Sequence, residues 1–345
     1  MALSRRFKPL SKLMIANRTR RAVVQSTGHS LPAKIVTNAE LTQIVETSDE
    51  WIVQRTGIRQ RRITSEEETT GTMSVLAAKE ALANAGMTAD ELDLVIVATV
   101  TGDYLWPATA CTVQDEIGAK NAAAFDLSAA CAGFIYALSN ASAMIETGQV
   151  NTALVIGSDC LSKQVDWTDR STCILFGDAS AGVILKAEDN TDRGIIETVL
   201  FSDGSGRQSI SIEAGGCRYP WGAERTIPRK TTITMTGSEV YRFAVNAMGE
   251  ACIKVLEKAG MQASDIDLFV PHQANLRIID SAAKRLELPE EKVFINVDKY
   301  GNTSGASVPL ALHEAVQEGR LKPGMVVMTV GFGAGLVWGA NLIRW

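Results

Sequence analysis

The sequence predicts an α/β protein built from two homologous halves, and two observations carry that prediction. Short apolar, strand-like runs at residues 94–100, 122–127 and 153–156 alternate with helical spacing, the pattern of mostly internal strands crossed over by helices. The chain also repeats itself at an offset of 174 residues: Leu82, Ala85, Gly86, Met87, Ala89, Asp93 and Leu94 recur as Leu256, Ala259, Gly260, Met261, Ala263, Asp267 and Leu268. The same offset carries Gly157 to Gly331, each closing an apolar strand, and Ala137-Leu138 to Ala311-Leu312. Several blocks sharing one offset point to duplication. We place the seam in the polar stretch AEDNTDR at residues 187–193, giving halves of residues 21–190 and 191–345.

Ahead of the first half, residues 1–20 form a basic extension. Arg5, Arg6, Lys8, Lys12, Arg18, Arg20 and Arg21 crowd the start, and no acid precedes Glu40. Such a leader matches an organelle transit peptide in composition; we read it instead as a disordered tail.

Within the first half, residues 122–127 end in the small residues Ser128, Ala129 and Ala130, followed by Cys131, Ala132 and Gly133. Phe134, Leu138 and Ala141 then fall at helical spacing. Cys131 is thus expected at a sharp strand-to-helix turn, with Ala129 and Gly133 small enough for a nucleophile elbow to close. A helix N-terminus there favours the thiolate.

Composition narrows the function. With 46% hydrophobic and 21% charged residues, the chain reads as an ordinary globular protein, and its net charge of −5 disfavours nucleic acid or membrane surfaces as partners. No apolar run reaches the length of a bilayer span. The six cysteines are scattered without a CxxC pair, so they read as reduced thiols in a cytoplasmic protein, with no disulfide frame and no metal site. Only His29, His272 and His313 are available as histidines, which sets aside histidine-rich metal centres; His29 and His313 read as structural.

The offset makes a chemical prediction. It carries Cys131 to Gly305, Ser128 to Asn302 in YGNTSGAS, and Thr99 to Gln273, next to His272. Related halves facing each other across a pseudo-twofold axis bring these turns together, so Cys131, His272 and Asn302 become partners in one site.

Five motifs in order resemble the β-ketoacyl-acyl carrier protein synthase III family of the thiolase superfamily. They are TSDEWIVQRTGI at residues 47–58, DLSAACAGF around Cys131, PHQANLR at 271–277, YGNTSGAS around Asn302, and GFGAGLVWGA at 331–340. The resemblance implies a thiolase-like fold, an αβαβα layering of mixed sheets. It implies an acyltransferase that begins fatty acid synthesis by decarboxylative Claisen condensation of a short acyl-CoA with malonyl-acyl carrier protein, without metal or organic cofactor, as a homodimer. Cys131, His272 and Asn302 would be the catalytic triad, with Cys131 and Ala334 giving oxyanion N–H groups.

Further positions follow from the same resemblance. Trp51, Arg55, Arg170 and Asn275 would bind CoA. Gln273, Ala274, Asn275, Leu276 and Arg277, with Arg242, Lys284 and Arg285, would meet the acidic carrier protein on a helix expected at residues 274–286. Phe332 would pack beside the cysteine, and Trp106 would cap the acyl pocket from a partner subunit, favouring acetyl-CoA by its bulk. Two alternatives stay open: a starter-unit or secondary-metabolism ketosynthase with the same triad, and a catalytically silent partner subunit, against which the presence of Cys131 weighs.

Overall fold

The computed structural model describes residues 19–220 and 230–345. The expected basic extension lies outside them up to residue 18, but Arg20 belongs to the fold: it opens the first strand, paired with Asp189.

Strands β1 (Arg20–Ser30), β2 (Leu94–Ala98), β3 (Ala123–Leu127), β4 (Thr152–Cys160) and β5 (Asp178–Asp189) form one sheet in the order β1-β5-β4-β2-β3. Strands β6 (Gly194–Ser202), β7 (Leu268–Pro271), β8 (Val326–Gly333) and β9 (Val337–Arg344) form a second, in the order β6-β9-β8-β7. The two sheets share one plan. In each, β2 or β7 runs parallel to its neighbour β4 or β8, and the next two pairings are antiparallel. β1, β2 and β4 begin 174 residues before β6, β7 and β8. β3 has no strand as its counterpart; an isolated bridge between Phe269 and Val293 stands beside β7 instead.

Helices α1 (Asp49–Thr56), α2 (Thr70–Ala85), α3 (Thr109–Glu116), α4 (Gly133–Glu146), α5 (Gly237–Ala259), α6 (Leu276–Arg285) and α7 (Ser307–Gln317) complete the layers. The period-two alternation of a strand buried on both faces sorts its residues between two cores. Leu94, Ile96 and Ala98 of β2 enter the central core with Phe134 and Leu138 of α4 and Val308 and Leu312 of α7. Val95 and Val97 face Val75 and Ala78 of α2 on the outside. In the second sheet Leu268 and Val270 turn inward, while Phe269 meets Met248 of α5 and Ile279 of α6. The result is helix, sheet, helix, sheet, helix, with α4 and α7 in the middle layer.

One strand departs from expectation. β3 is an edge strand instead of an internal one, and Phe125 on it is 37% exposed.

Candidate active site

Cys131 sits in a 3-10 turn, Ala130–Ala132, between the end of β3 and the start of α4. The sharp turn is real: Ala130 has φ 45°, a left-handed conformation that a non-glycine residue adopts at a cost. Gly133 has to be small because a Cβ there would lie 3.1 Å from Cβ of Ala98 on β2. The second half repeats the geometry 174 residues on, where Ser304 has φ 52° in the turn Ser304–Ala306 that precedes α7. The two turns back onto each other's sheets: a Cβ on Gly331 would lie 3.3 Å from the Cys131 carbonyl, and one on Gly157 would collide with the Gly305 carbonyl.

The electrostatics correct the expectation of a ready thiolate. Burial pushes the Cys131 thiol up to about 12, and the nearby Asp159 carboxylate adds to this, against lowering hydrogen bonds from Ser304 and Asn302. Cys131 lies within the 3-10 turn, two residues before α4 begins at Gly133, and desolvation outweighs the helix terminus. On this balance the Cys131 thiol holds its proton at neutral pH.

His272 follows β7, its N–H donating to Val330 O of β8 at 2.8 Å. Its Nδ1 lies 2.5 Å from the Ser307 hydroxyl, at the first turn of α7, while its buried Nε2 has no hydrogen-bond partner among the described residues. Burial holds the imidazole down to about 3, so it is neutral at physiological pH. Phe332 packs edge-on against the ring at 5.3 Å between centroids. Asn302 is fixed on both backbone sides: its N–H donates to Leu175 O at 2.8 Å, and its carbonyl accepts from Gly177 N–H at 3.0 Å. Its Oδ1 accepts the Ser304 N–H at 2.9 Å, which turns the amide NH2 toward Cys131.

Cys131, His272, Asn302, Phe332 and Ala334 line a single cavity of about 840 Å³. Trp51, Arg55, Asn275, Arg242 and Arg277 line it as well. The Arg170 guanidinium lies 4.8 Å above the Trp51 ring and the Arg55 guanidinium 5.5 Å from it, with Arg170 anchored on Glu46 O. Asn275 joins this corner to α6: its Oδ1 caps the helix by accepting the Arg277 N–H, and its Nδ2 donates to Arg55 O.

The carrier-binding stretch needs correction. Gln273 is 2% exposed and its amide is consumed inside the protein, donating to Pro271 O and Phe294 O and accepting from Asn296 and Val297 N–H. Ala274 is buried too, and the helix begins at Leu276. Neither residue presents a surface to a docked protein. Arg277 and Lys284 do share an outer groove with Tyr241, over whose ring Arg277 lies at 5.2 Å. Arg285 turns aside onto Gly249 of α5. Trp106 is 84% exposed, flanked by exposed Tyr104 and Leu105, and does not line the chain's own cavity.

Sequence reasoning missed Ser307, which holds His272, and Asp159. The Asp159 carboxylate is fully buried and accepts from Thr99 and Thr101 hydroxyls, Val100 N–H and Gly305 N–H. Both make their contacts only across the fold; Ser307 closes the YGNTSGAS motif at residues 300–307, the signal that could have found it, whereas Asp159 lies in none of the motifs.

A duplicated αβαβα fold with a cysteine, a neutral histidine and an asparagine on one deep cavity defines a thiolase-like condensing acyltransferase. Two family models agree, 3-oxoacyl-[acyl-carrier-protein] synthase III over residues 125–204 and its C-terminal part over residues 256–345. A β-ketoacyl-[acyl-carrier-protein] synthase III of Symbiobacterium thermophilum is 52% identical over 92% of this chain and 96% of its own. The crystal structure of a 3-oxoacyl-[acyl-carrier-protein] synthase III from Aquifex aeolicus superimposes with a TM-score of 0.87 at 46% identity, covering 94% of this chain and all of that one. A priming β-ketosynthase of a polyketide biosynthetic pathway matches with a TM-score of 0.87 at 38% identity, over 93% and 95% of the two chains. The chain belongs to the β-ketoacyl-[acyl-carrier-protein] synthase III family, whose activity is the initiating condensation of fatty acid synthesis.

Proposed function

We propose that the chain condenses a short acyl-CoA, acetyl-CoA by preference, with malonyl-acyl carrier protein through an acyl-Cys131 intermediate. The Cys131 sulfur attacks the thioester carbonyl, CoA leaves as the thiol, and the acyl group stays on sulfur. The Cys131 N–H and the Ala334 N–H receive the oxyanion. Malonyl-carrier protein then loses CO2, and the enolate oxygen that develops takes hydrogen bonds from His272 Nε2–H and Asn302 Nδ2. With Ser307 donating to Nδ1, the histidine proton stays on Nε2, the tautomer this step needs. The enolate carbon attacks acyl-Cys131, the thiolate leaves, and a β-ketoacyl carrier protein is released. Positioning and neutral donors suffice, so the reaction as written draws on no cofactor.

The observation that carries this reading is the convergence of Cys131, His272 and Asn302 from three distant turns on one cavity. Trp51 and Arg55 on that cavity, with Arg170 over the Trp51 ring, favour a nucleotide-bearing donor, and Arg242 and Arg277 in its lining, with Lys284 in the outer groove, favour an acidic carrier. The halves 21–190 and 191–345 each supply part of the triad. We also infer a homodimer: the free edge of β3, with exposed Phe125, favours a covering second copy, and the exposure of Trp106 leaves it available to the neighbour's acyl pocket. Measuring CO2 release from malonyl-carrier protein against malonyl-CoA tests the role directly. Equal use of both would favour a secondary-metabolism ketosynthase, the reading that the polyketide relative keeps in play.

A further inference from the structure

We propose that His29, Glu80 and His313 form a binding site for a divalent transition-metal cation, zinc by its chemistry, remote from the catalytic cavity. They come from three elements: His29 from the end of β1, Glu80 from α2 and His313 from α7. One donor atom from each lies within 4.8 Å of the others, and among the described residues this is the only such grouping of three histidine, cysteine, aspartate or glutamate side chains. None of the three lines the catalytic cavity.

The carboxylate is addressed to both rings. Its Oε2 lies 2.8 Å from His29 Nδ1, and its Oε1 lies 4.0 Å from His313 Nε2. The imidazoles lie against each other, centroids 4.2 Å apart and planes tilted by 30°, and the two Glu80 contacts show that each turns one nitrogen toward the same carboxylate. His313 has the outer partner that metal-ligating histidines need: Nδ1 is bonded to the Thr27 hydroxyl at 2.9 Å, which fixes the ring and leaves Nε2 to face Glu80. Two nitrogens and a carboxylate oxygen make the mixed donor set that zinc takes.

Tetrahedral bonds of ~2.0–2.1 Å require donors roughly 3.3 Å apart, so the cluster must close by about 1.5 Å at most. His29 and Glu80, 32% and 35% exposed at their side chains, have room to move and give the ion an open side for water. Binding would tie β1 and α2 of the first half to α7 of the second. α7 begins at Ser307, so the clamp would hold the helix that orients His272.

The test is equilibrium dialysis of the full chain, stripped with chelator, against zinc chloride, with metal analysis and thermal unfolding. The proposal expects close to one equivalent per chain and a melting point that rises with zinc. His29→Gln and Glu80→Gln should each weaken binding at least roughly tenfold, the size that losing even an outer-shell partner can produce. Both positions are partly exposed, and circular dichroism checks that the variants fold; Thr27→Val, which removes only the outer partner, gives a third. Cobalt in place of zinc should give the visible bands of a nitrogen and oxygen site. No binding, equal binding by the variants, or a thiolate charge-transfer band from one of the cysteines would each overturn it.

Discussion

Asp159 and Gly333 hold corresponding places in the two halves and treat corresponding N–H groups in opposite ways. Asp159 reaches across to accept the Gly305 N–H at 3.1 Å, and Gly305 stands where the duplication places Cys131 in the other half. Gly333 has no side chain to do the same, and a Cβ there would come within 2.6 Å of Cys131 N. One half therefore spends its turn N–H on structure, while the other leaves it facing the cavity.

Gly333→Ala should therefore disable the first half-reaction. The added methyl group has to push on the Cys131 backbone, which a packed turn resists. We expect the burst of CoA released from acetyl-CoA to fall at least about tenfold while circular dichroism is unchanged; removing one oxyanion donor in other enzymes costs more than this. An unaltered burst would mean that the Cys131 N–H is not positioned by this contact.

The neutral thiol predicts a pH dependence with a definite sign. A pKa near 12 leaves only a trace of thiolate at neutral pH, and that trace grows tenfold with each pH unit. Iodoacetamide labelling of the Cys131 peptide, followed by mass spectrometry, should rise log-linearly between about pH 7 and pH 9. Exposed Cys111 and Cys217 will react as well, so the readout has to be peptide-specific. A plateau below about pH 8 would mean an activated thiolate.

Ser307→Ala separates the two half-reactions. It removes the group that fixes the His272 ring and its proton, and touches nothing in acyl transfer. Decarboxylation of malonyl-carrier protein should slow by about 10- to 100-fold with acyl loading retained, in the range of a positioned proton donor or its outer support. Since burial keeps His272 neutral down to about pH 3, the wild-type decarboxylation rate should show no acid limb near pH 6 from this ring. Such a limb, if His272→Gln removed it, would contradict the burial.

Trp51→Ala tests the nucleotide corner. Loss of the indole face beneath Arg55 and Arg170 should raise KM for acyl-CoA roughly fivefold to thirtyfold with little change in kcat, as expected when about 1–2 kcal/mol of uniform binding is removed. A drop in kcat at unchanged KM would place Trp51 in a different role.

The fold, and the meeting of Cys131, His272 and Asn302 on one cavity, were legible because duplication writes itself in register. The 174-residue offset that aligned Leu82 with Leu256 also aligns β1, β2 and β4 with β6, β7 and β8, the glycine caps at Gly86 and Gly260, and the strained residues Ala130 and Ser304. What escaped depends on distance through space. Ser307 and Asp159 act on groups far along the chain, and even the place of Ser307 at the end of YGNTSGAS does not say what it touches. The thiolate expectation failed because a helix terminus can be read from sequence, whereas desolvation depends on what packs around the sulfur. Gln273 misled for the same reason, since a polar residue within a surface motif folded inward to satisfy four backbone groups.

The most direct measurement is intact-mass and peptide mass spectrometry of the chain after incubation with acetyl-CoA alone. The proposed mechanism predicts a single acetyl group, carried by the peptide containing Cys131 and absent from Cys131→Ala. An unmodified chain, or an acetyl group on any other residue, would contradict it.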